Sequence, residues 1–285
     1  MRPAYITDNF LNQFITQALR EDVGEGDHTS LAVIPADSVS RARLLVKEEG
    51  VLAGVEVALE IFNHIDATLN TEIYLKDGSE VKPGDVAFVV HGSSRSMLMA
   101  ERLVLNTMQR MSGIATGTRR LVKLVEGTAV KLLDTRKTTP NFRLLEKWAV
   151  VIGGGHNHRL GLFDMIMIKD NHIDIAGGVE PAIVRAKDYL RALNQKLPIE
   201  IEVRSLEELD EVLAIGGVDV IMLDNMTPEQ MTQAVKRING RFKTEASGGI
   251  TEVTIRQIAL TGVDYISVGA LTHSVRSLDL SLKIF

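Results

Sequence analysis

The sequence predicts an α/β protein: an incomplete parallel α/β barrel of about six strands, preceded by an N-terminal α+β sandwich domain. Three observations predict it. From Thr128 onward six strand-like segments succeed one another, AVKLLD, DMIMIK, PIEIEV, VDVIML, FKTEAS and DYISVG, and helical patterns such as LEELDEVLAI and PEQMTQAVKRI separate most of them. Such alternation requires parallel strands. Polar residues collect where each strand ends, at Asp134 to Lys137, Lys169 and Asp170, Glu202 and Arg204, Asp224 and Asn225, Ser247 and Gly248, and Gly269. A barrel brings all those ends to one face, whereas an open doubly wound sheet concentrates them at one switch point. The third observation is the mixed texture of the chain up to about residue 115.

In that first region Asp8 to Leu19 reads as an amphipathic helix and REDVGEGDHTS as a polar, Gly-rich loop. RARLLVKEEG and ATLNTEIYL read as strands by alternation and β-branching, and KPGD is a turn before the strand VAFVVHG. From Ser94 to about Glu126 the apolar residues fall three and four apart, which predicts a long helix with Gly113 and Gly117 as interruptions. The expected domains are 1–115, the α/β barrel over 116–275 with the active-site face, and a tail, 276–285, that packs back on the first domain.

The 285 residues carry a formal charge of -5, so neither a nucleic-acid coat nor a membrane-surface protein is indicated, and any anion site must be local. There is no cysteine, which removes disulfides, thiolate nucleophiles and thiolate metal sites together. MRPAYITDNFLNQF has no continuous apolar core, and no later run reaches the roughly 18 apolar residues of a membrane span. A soluble, cytoplasmic protein is expected. The Asn-x-Thr match at Asn225 is taken as chance.

The segment Lys131 to His172 holds seven Lys or Arg against four acids, a local positive surplus in an acidic chain. Lys147 and Arg143 fit a solvated helix face. Arg136, Lys137 and Lys169 come directly after strands that must be buried, where an unpaired cation costs several kcal/mol, so a bound anion of matching charge is the expected partner. GGGHNHR, Gly153 to Arg159, lacks the G-x-G-x-x-G spacing, and the chain has no Gly-Lys dipeptide for a Walker A loop. His156 and His158 lack a nearby third metal ligand; a flexible loop delivering His158 and Arg159 to an anion is the favoured reading.

Glu202 and Asp224 end the third and fourth strands of the array, and Glu200 shares the Glu202 face by period two. Carboxylates opposite a cationic rim suit sugar hydroxyls or an Mg²⁺ held mainly by a phosphate ligand. EASGGI, with a helix expected near Thr251, and SVGALTHS offer backbone N–H groups at the loops that hold phosphate in parallel barrels.

LLDTRKTTP, EKWAV, GGGHNHRLGL, IKDNH, IEVRSLEEL, MLDN and SGGI resemble the successive motifs of the quinolinate phosphoribosyltransferases, and EDVGEGDHTS resembles that family's N-terminal loop. The similarity runs through nearly the whole chain. One departure is Asn141, where the family usually has Gly; Asn tolerates a left-handed backbone better than most residues. The resemblance implies transfer of phosphoribosyl from phosphoribosyl pyrophosphate to quinolinate with decarboxylation, on the way to NAD, with Mg²⁺ as cofactor. It implies a homodimer or higher even oligomer with shared active sites. Matched by position, Arg102 from a neighbouring subunit, Thr135, Arg136, Lys137, His158, Arg159 and Lys169 would hold quinolinate. Glu202 and Asp224 would bind the ribose hydroxyls and Mg²⁺, and Ser247, Gly248, Gly249, Val268, Gly269 and Ala270 would cradle the 5-phosphate. Lys137, Lys169, Glu202 and Asp224 are the catalytic candidates.

Other readings stay open on the residues: an aldolase with Lys169 as Schiff-base amine, a non-catalytic phosphosugar-binding module, and a related transferase acting on nicotinate or a molybdenum-associated paralogue of the same fold.

Overall fold

The structure is a computed structural model that describes residues 2–285. It divides into two compact units, 2–119 with 138–154 and 271–285, and 120–137 with 155–270. The segment 138–154, which follows the first barrel strand, groups with the first unit.

The first unit opens with α1 (Asp8–Asp22), whose Thr7 cap accepts the Phe10 N–H and whose buried face carries Leu11 and Ile15. Within the stretch expected to be loop, Asp27 caps a short helix, α2 (His28–Val33). Next come β1 (Val39–Val46), β2 (Gly50–Val51), α3 (Val55–Ile65), β3 (Asn70–Ile73), β4 (Glu80–Val81) and β5 (Val86–Ser93). The expected long helix is α4 (Ser94–Leu124), unbroken at either glycine. Gly113 marks a close approach instead: a Cβ there would collide with the Arg276 carbonyl oxygen.

β6 (Lys131–Leu133) belongs to the second unit, and α5 (Arg143–Ile152) returns to the first. α5 carries a correction. Lys147 does not sit on a solvated face but is fully buried, in a run from Leu145 to Val150 in which every residue is buried. The second unit continues through β7 (Ile166–Ile168), α6 (Asp170–Ala176), α7 (Val179–Ala192), β8 (Ile199–Val203), α8 (Leu206–Ile215), β9 (Val220–Asp224), α9 (Pro228–Ile238), β10 (Lys243–Ser247), α10 (Ile255–Ala259) and β11 (Tyr265–Ser267). α10 starts at Ile255, later than the expected Thr251. α11 (Ala270–His273) and β12 (Leu280–Ile284) end the chain.

In the first unit the order β12-β1-β5-β3 forms an antiparallel sheet, so the C-terminal strand adds to the edge beside β1. In the second, all six predicted strands form one parallel sheet in the order β6-β11-β10-β9-β8-β7. The first strand pairs with the last, as ring closure requires and as a doubly wound sheet, with its first strand central, does not. The ring is open between β6 and β7. Ile201, Ile221, Leu223, Ala246 and Ile266 are fully buried on these strands. Among the described residues no helix is long and apolar enough to cross a membrane.

Candidate active site

The parallel order of the second unit makes the C-terminal ends of its six strands neighbours, and the site is built from the residues just beyond those ends. β6 leads into Asp134, which is buried and accepts from Asn157 Nδ2 at 2.6 Å and from the His158 N–H at 2.9 Å. The His156 N–H donates to the Leu132 carbonyl at 2.8 Å and the Asp134 N–H to the His156 carbonyl at 3.1 Å. Within GGGHNHR the His156 backbone thus pairs along the open edge of β6. Asp134 is what aims the segment.

The adjacent cations of the β6 turn separate. Thr135 Oγ1 accepts the Lys137 N–H at 3.0 Å, tightening the turn so that Arg136 is half-buried and Lys137 exposed. Burial is the main reason that the Arg159 guanidinium is held below its ordinary value; the Arg136 charge acts the same way, while Glu200 and Asp164 oppose it. Both guanidiniums are half-buried, and the charge of one acts on the other. Asp164 shapes the loop after Arg159 by accepting the Leu160 N–H at 2.7 Å and the Gly161 N–H at 2.9 Å. Lys169, directly after β7, brings Nζ to 2.9 Å from Glu202 Oε2. His172 Nδ1 holds the Lys169 backbone N–H at 2.9 Å.

Beneath lies an acidic floor. Glu200 and Glu202, expected on one face of β8, are both buried, and Glu245 of β10 is buried with them. His158 Nε2 is 2.9 Å from Glu200 Oε2 and 3.5 Å from Glu245 Oε2. Glu200 is also without a properly aligned hydrogen bond, so these are contacts of charge and proximity rather than linear bonds. Burial first, then the Glu200 charge, pushes the Glu245 carboxyl up to about 8; His158 and a bond from Ser267 act against the rise. Neither Glu245 nor the anchoring part of Asp134 was singled out from the sequence. The available signal was a carboxylate embedded in an otherwise apolar strand, or ending one, since a buried acid persists only where something pairs with it.

The phosphate side is set by glycine. Gly248 has φ +93, and a Cβ there would overlap Asn225 Oδ1. Asn225 itself is left-handed, φ 52, and its N–H donates to the Ser247 carbonyl at 2.9 Å, tying the turn after β9 to the turn after β10. Gly249 has φ +60. At the β11 turn the Val268 N–H donates to the Leu133 carbonyl at 2.9 Å, so that donor is engaged in the sheet rather than turned to a ligand. Gly269 and Ala270 come directly after it. Arg102 is exposed on α4 of the first unit, while the other predicted site residues belong to the second. Asn141 has φ 62, the left-handed turn expected where Gly is usual.

Three ligand-type atoms of His158, Glu200 and Glu245 lie within 4.8 Å of one another. They do not suit a metal: Nδ1 of His158 accepts the Arg159 N–H at 2.7 Å, which leaves the ring proton on Nε2 as a donor. Glu202 and Asp224 do fit the implied Mg²⁺. Each spends one oxygen, on Lys169 and on Asn225 Nδ2 at 2.6 Å respectively, and keeps another for a hard cation that takes most of its ligands from phosphate and water.

The quinolinate phosphoribosyl transferase models match this chain in order, the N-terminal domain over residues 27–112 and the C-terminal domain over 114–283. The chain belongs to the quinolinate phosphoribosyl transferase family. It is 47% identical over 289 residues to the chloroplastic nicotinate-nucleotide pyrophosphorylase [carboxylating] of Arabidopsis thaliana, covering 96% of this chain and 82% of that one. It is 43% identical to a probable nicotinate-nucleotide pyrophosphorylase [carboxylating] of Bacillus subtilis, covering 96% and 93%. The crystal structure of NadC from Streptococcus pyogenes superposes with a TM-score of 0.93 at 42% identity, covering 98% of each chain. Human nicotinic acid phosphoribosyltransferase, TM-score 0.63 at 13% identity, shares the fold.

Proposed function

We propose that this protein transfers phosphoribosyl from phosphoribosyl pyrophosphate to quinolinate with decarboxylation, forming nicotinate mononucleotide, pyrophosphate and CO₂ for NAD biosynthesis. The observation that carries the reading is the half-buried Arg136 and Arg159, whose charges act on one another, together with Lys169 directly after β7 of the same parallel sheet, in a chain of this family. A dianion at that mouth offsets the repulsion between the guanidiniums, and two carboxylates on one ring match cations from separate turns.

The reaction needs no activated nucleophile from the protein. The pyridine nitrogen attacks C1 of the ribose as its bond to pyrophosphate breaks, so positioning and stabilisation of the leaving anion dominate. The ring nitrogen is then cationic, the adjacent carbon loses its carboxylate as CO₂ and keeps the electron pair, and a proton quenches the carbanion. Thr135, Arg136, Lys137, Arg159 and Lys169 serve the quinolinate carboxylates, and Lys169, His158 or water supplies that proton. Glu202 and Asp224 serve the ribose hydroxyls, and the Ser247 to Gly249 turn with Gly269 and Ala270 serves the 5-phosphate. Mg²⁺, when bound, supplies charge neutralisation to pyrophosphate, with Glu202 and Asp224 as its protein oxygens.

A homodimer or higher even assembly, in which the exposed Arg102 of α4 completes a neighbour's site, and a cytoplasmic setting belong to the same reading. Incubation with quinolinate, phosphoribosyl pyrophosphate and Mg²⁺ should release CO₂ and nicotinate mononucleotide. No product across a range of divalent ions would refute the proposal, and a borohydride-trapped adduct at Lys169 would favour the aldolase.

A further inference from the structure

The His158 side chain is only 7% exposed, and both its ring nitrogens face protein atoms. Nδ1 accepts the Arg159 backbone N–H at 2.7 Å, and Nε2 faces the carboxylates of Glu200 and Glu245, each side chain 1% exposed. The His158 N–H is fixed in turn on Asp134 at 2.9 Å. A nitrogen that accepts carries no proton, so the neutral ring must hold its proton on Nε2. The opposite tautomer would set two N–H donors against each other at Nδ1 and the Arg159 backbone. What selects the first tautomer is the buried pair of acids, from β8 and β10, at the other edge of the ring.

We propose that Glu200 and Glu245 are positioning residues for the anion site: they keep His158 in its Nε2–H form, so that Nδ1 anchors the backbone of Arg159 and aims its guanidinium at the quinolinate carboxylate. His158 then acts through Arg159 and not by presenting a ring nitrogen to the substrate. Burial and the Glu200 charge raise the Glu245 carboxyl, which favours its protonated form beside Glu200. The inference rests on the proposed function only where it names quinolinate; the tautomer is a property of the free protein.

The test uses the full chain. Long-range ¹H–¹⁵N correlation on ¹⁵N-histidine protein, assigned with His158→Gln, should show His158 protonated at Nε2. Addition of Zn²⁺ should leave its resonances unchanged. In Glu200→Leu the KM for quinolinate should rise about tenfold, the effect of losing one charge-assisted contact. The KM for phosphoribosyl pyrophosphate should stay within about twofold, and Glu200→Gln, which keeps an acceptor oxygen, should recover most of the loss. An Nδ1–H tautomer in the parent protein, Zn²⁺ ligation at His158, or equal changes in both KM values would overturn the proposal. Should Glu200→Leu fail to fold, the parent tautomer and Glu200→Gln still decide. Absence of turnover in the parent would count against the proposed function alone, because the tautomer is read without substrate.

Discussion

Lys169 Nζ and Glu202 Oε2 lie 2.9 Å apart, an ion pair that joins the ends of β7 and β8 with the lysine half-exposed and the glutamate buried. The pair couples a residue proposed for quinolinate to one proposed for ribose and Mg²⁺. Removing either leaves the other charge poorly matched. Lys169→Ala should lower kcat/KM with quinolinate about 100-fold, in line with roughly 3 kcal/mol for a charge-assisted contact. Steady-state assays check this, and near-normal turnover would deny Lys169 an essential role.

Gly248 is constrained from two sides, by φ +93 and by Asn225 Oδ1 standing where a Cβ would go. Gly248→Ala should destabilise the protein by about 1–3 kcal/mol and raise the KM for phosphoribosyl pyrophosphate more than that for quinolinate. Asn225→Gly in the same chain removes the side-chain half of the clash and should recover part of the loss. Urea midpoints and the two KM values read the outcome, and a neutral Gly248→Ala would show that the turn shifts freely.

Glu146 is fully buried and is met by Arg110 through Nε at 3.0 Å and Nη2 at 2.8 Å and by the Thr139 N–H at 3.1 Å. Arg110 also reaches the Thr272 carbonyl. Arg110→Ala should cost about 3–5 kcal/mol by leaving a buried carboxylate without its cation, and Arg110→Met with Glu146→Leu should cost much less. Denaturant titration of the three proteins gives the comparison; equal losses would make the pair a net stabiliser rather than a buried charge kept in balance.

Glu245 gives the fold a pH dependence of definite sign. Its folded value, about 8, lies above the ordinary 4.5, so its protons are released later in the folded than in the unfolded chain. The stability it contributes is complete below the unfolded value and is lost as pH rises toward 8. Glu245→Gln, neutral throughout, should remove that decline. Relative to the parent, its unfolding free energy from urea titration should improve from about pH 5 to about pH 9, by an amount on the order of a few kcal/mol. An unchanged difference across that range would mean that Glu245 is ionised in the fold.

The sequence alone determined the six parallel strands, the faces they present, and the gathering of cations and carboxylates at their ends, because strand alternation and strand-to-helix turns are local patterns. The left-handed turn at Asn141 was legible for the same reason. Only the tertiary structure decided what lies across each face. Period two puts Glu200 and Glu202 together but is silent on His158 and Glu245, which reach Glu200 from other segments of the chain. Helical periodicity assigned Lys147 to solvent, and packing all around α5 buried it. A flexible Gly-rich loop was expected where the His156 backbone pairs with β6 and the Asp134 carboxylate accepts the His158 N–H. The physical reason is common to all three: periodicity within a segment records which side chains face one way, whereas burial and pairing depend on the segment that the fold brings opposite.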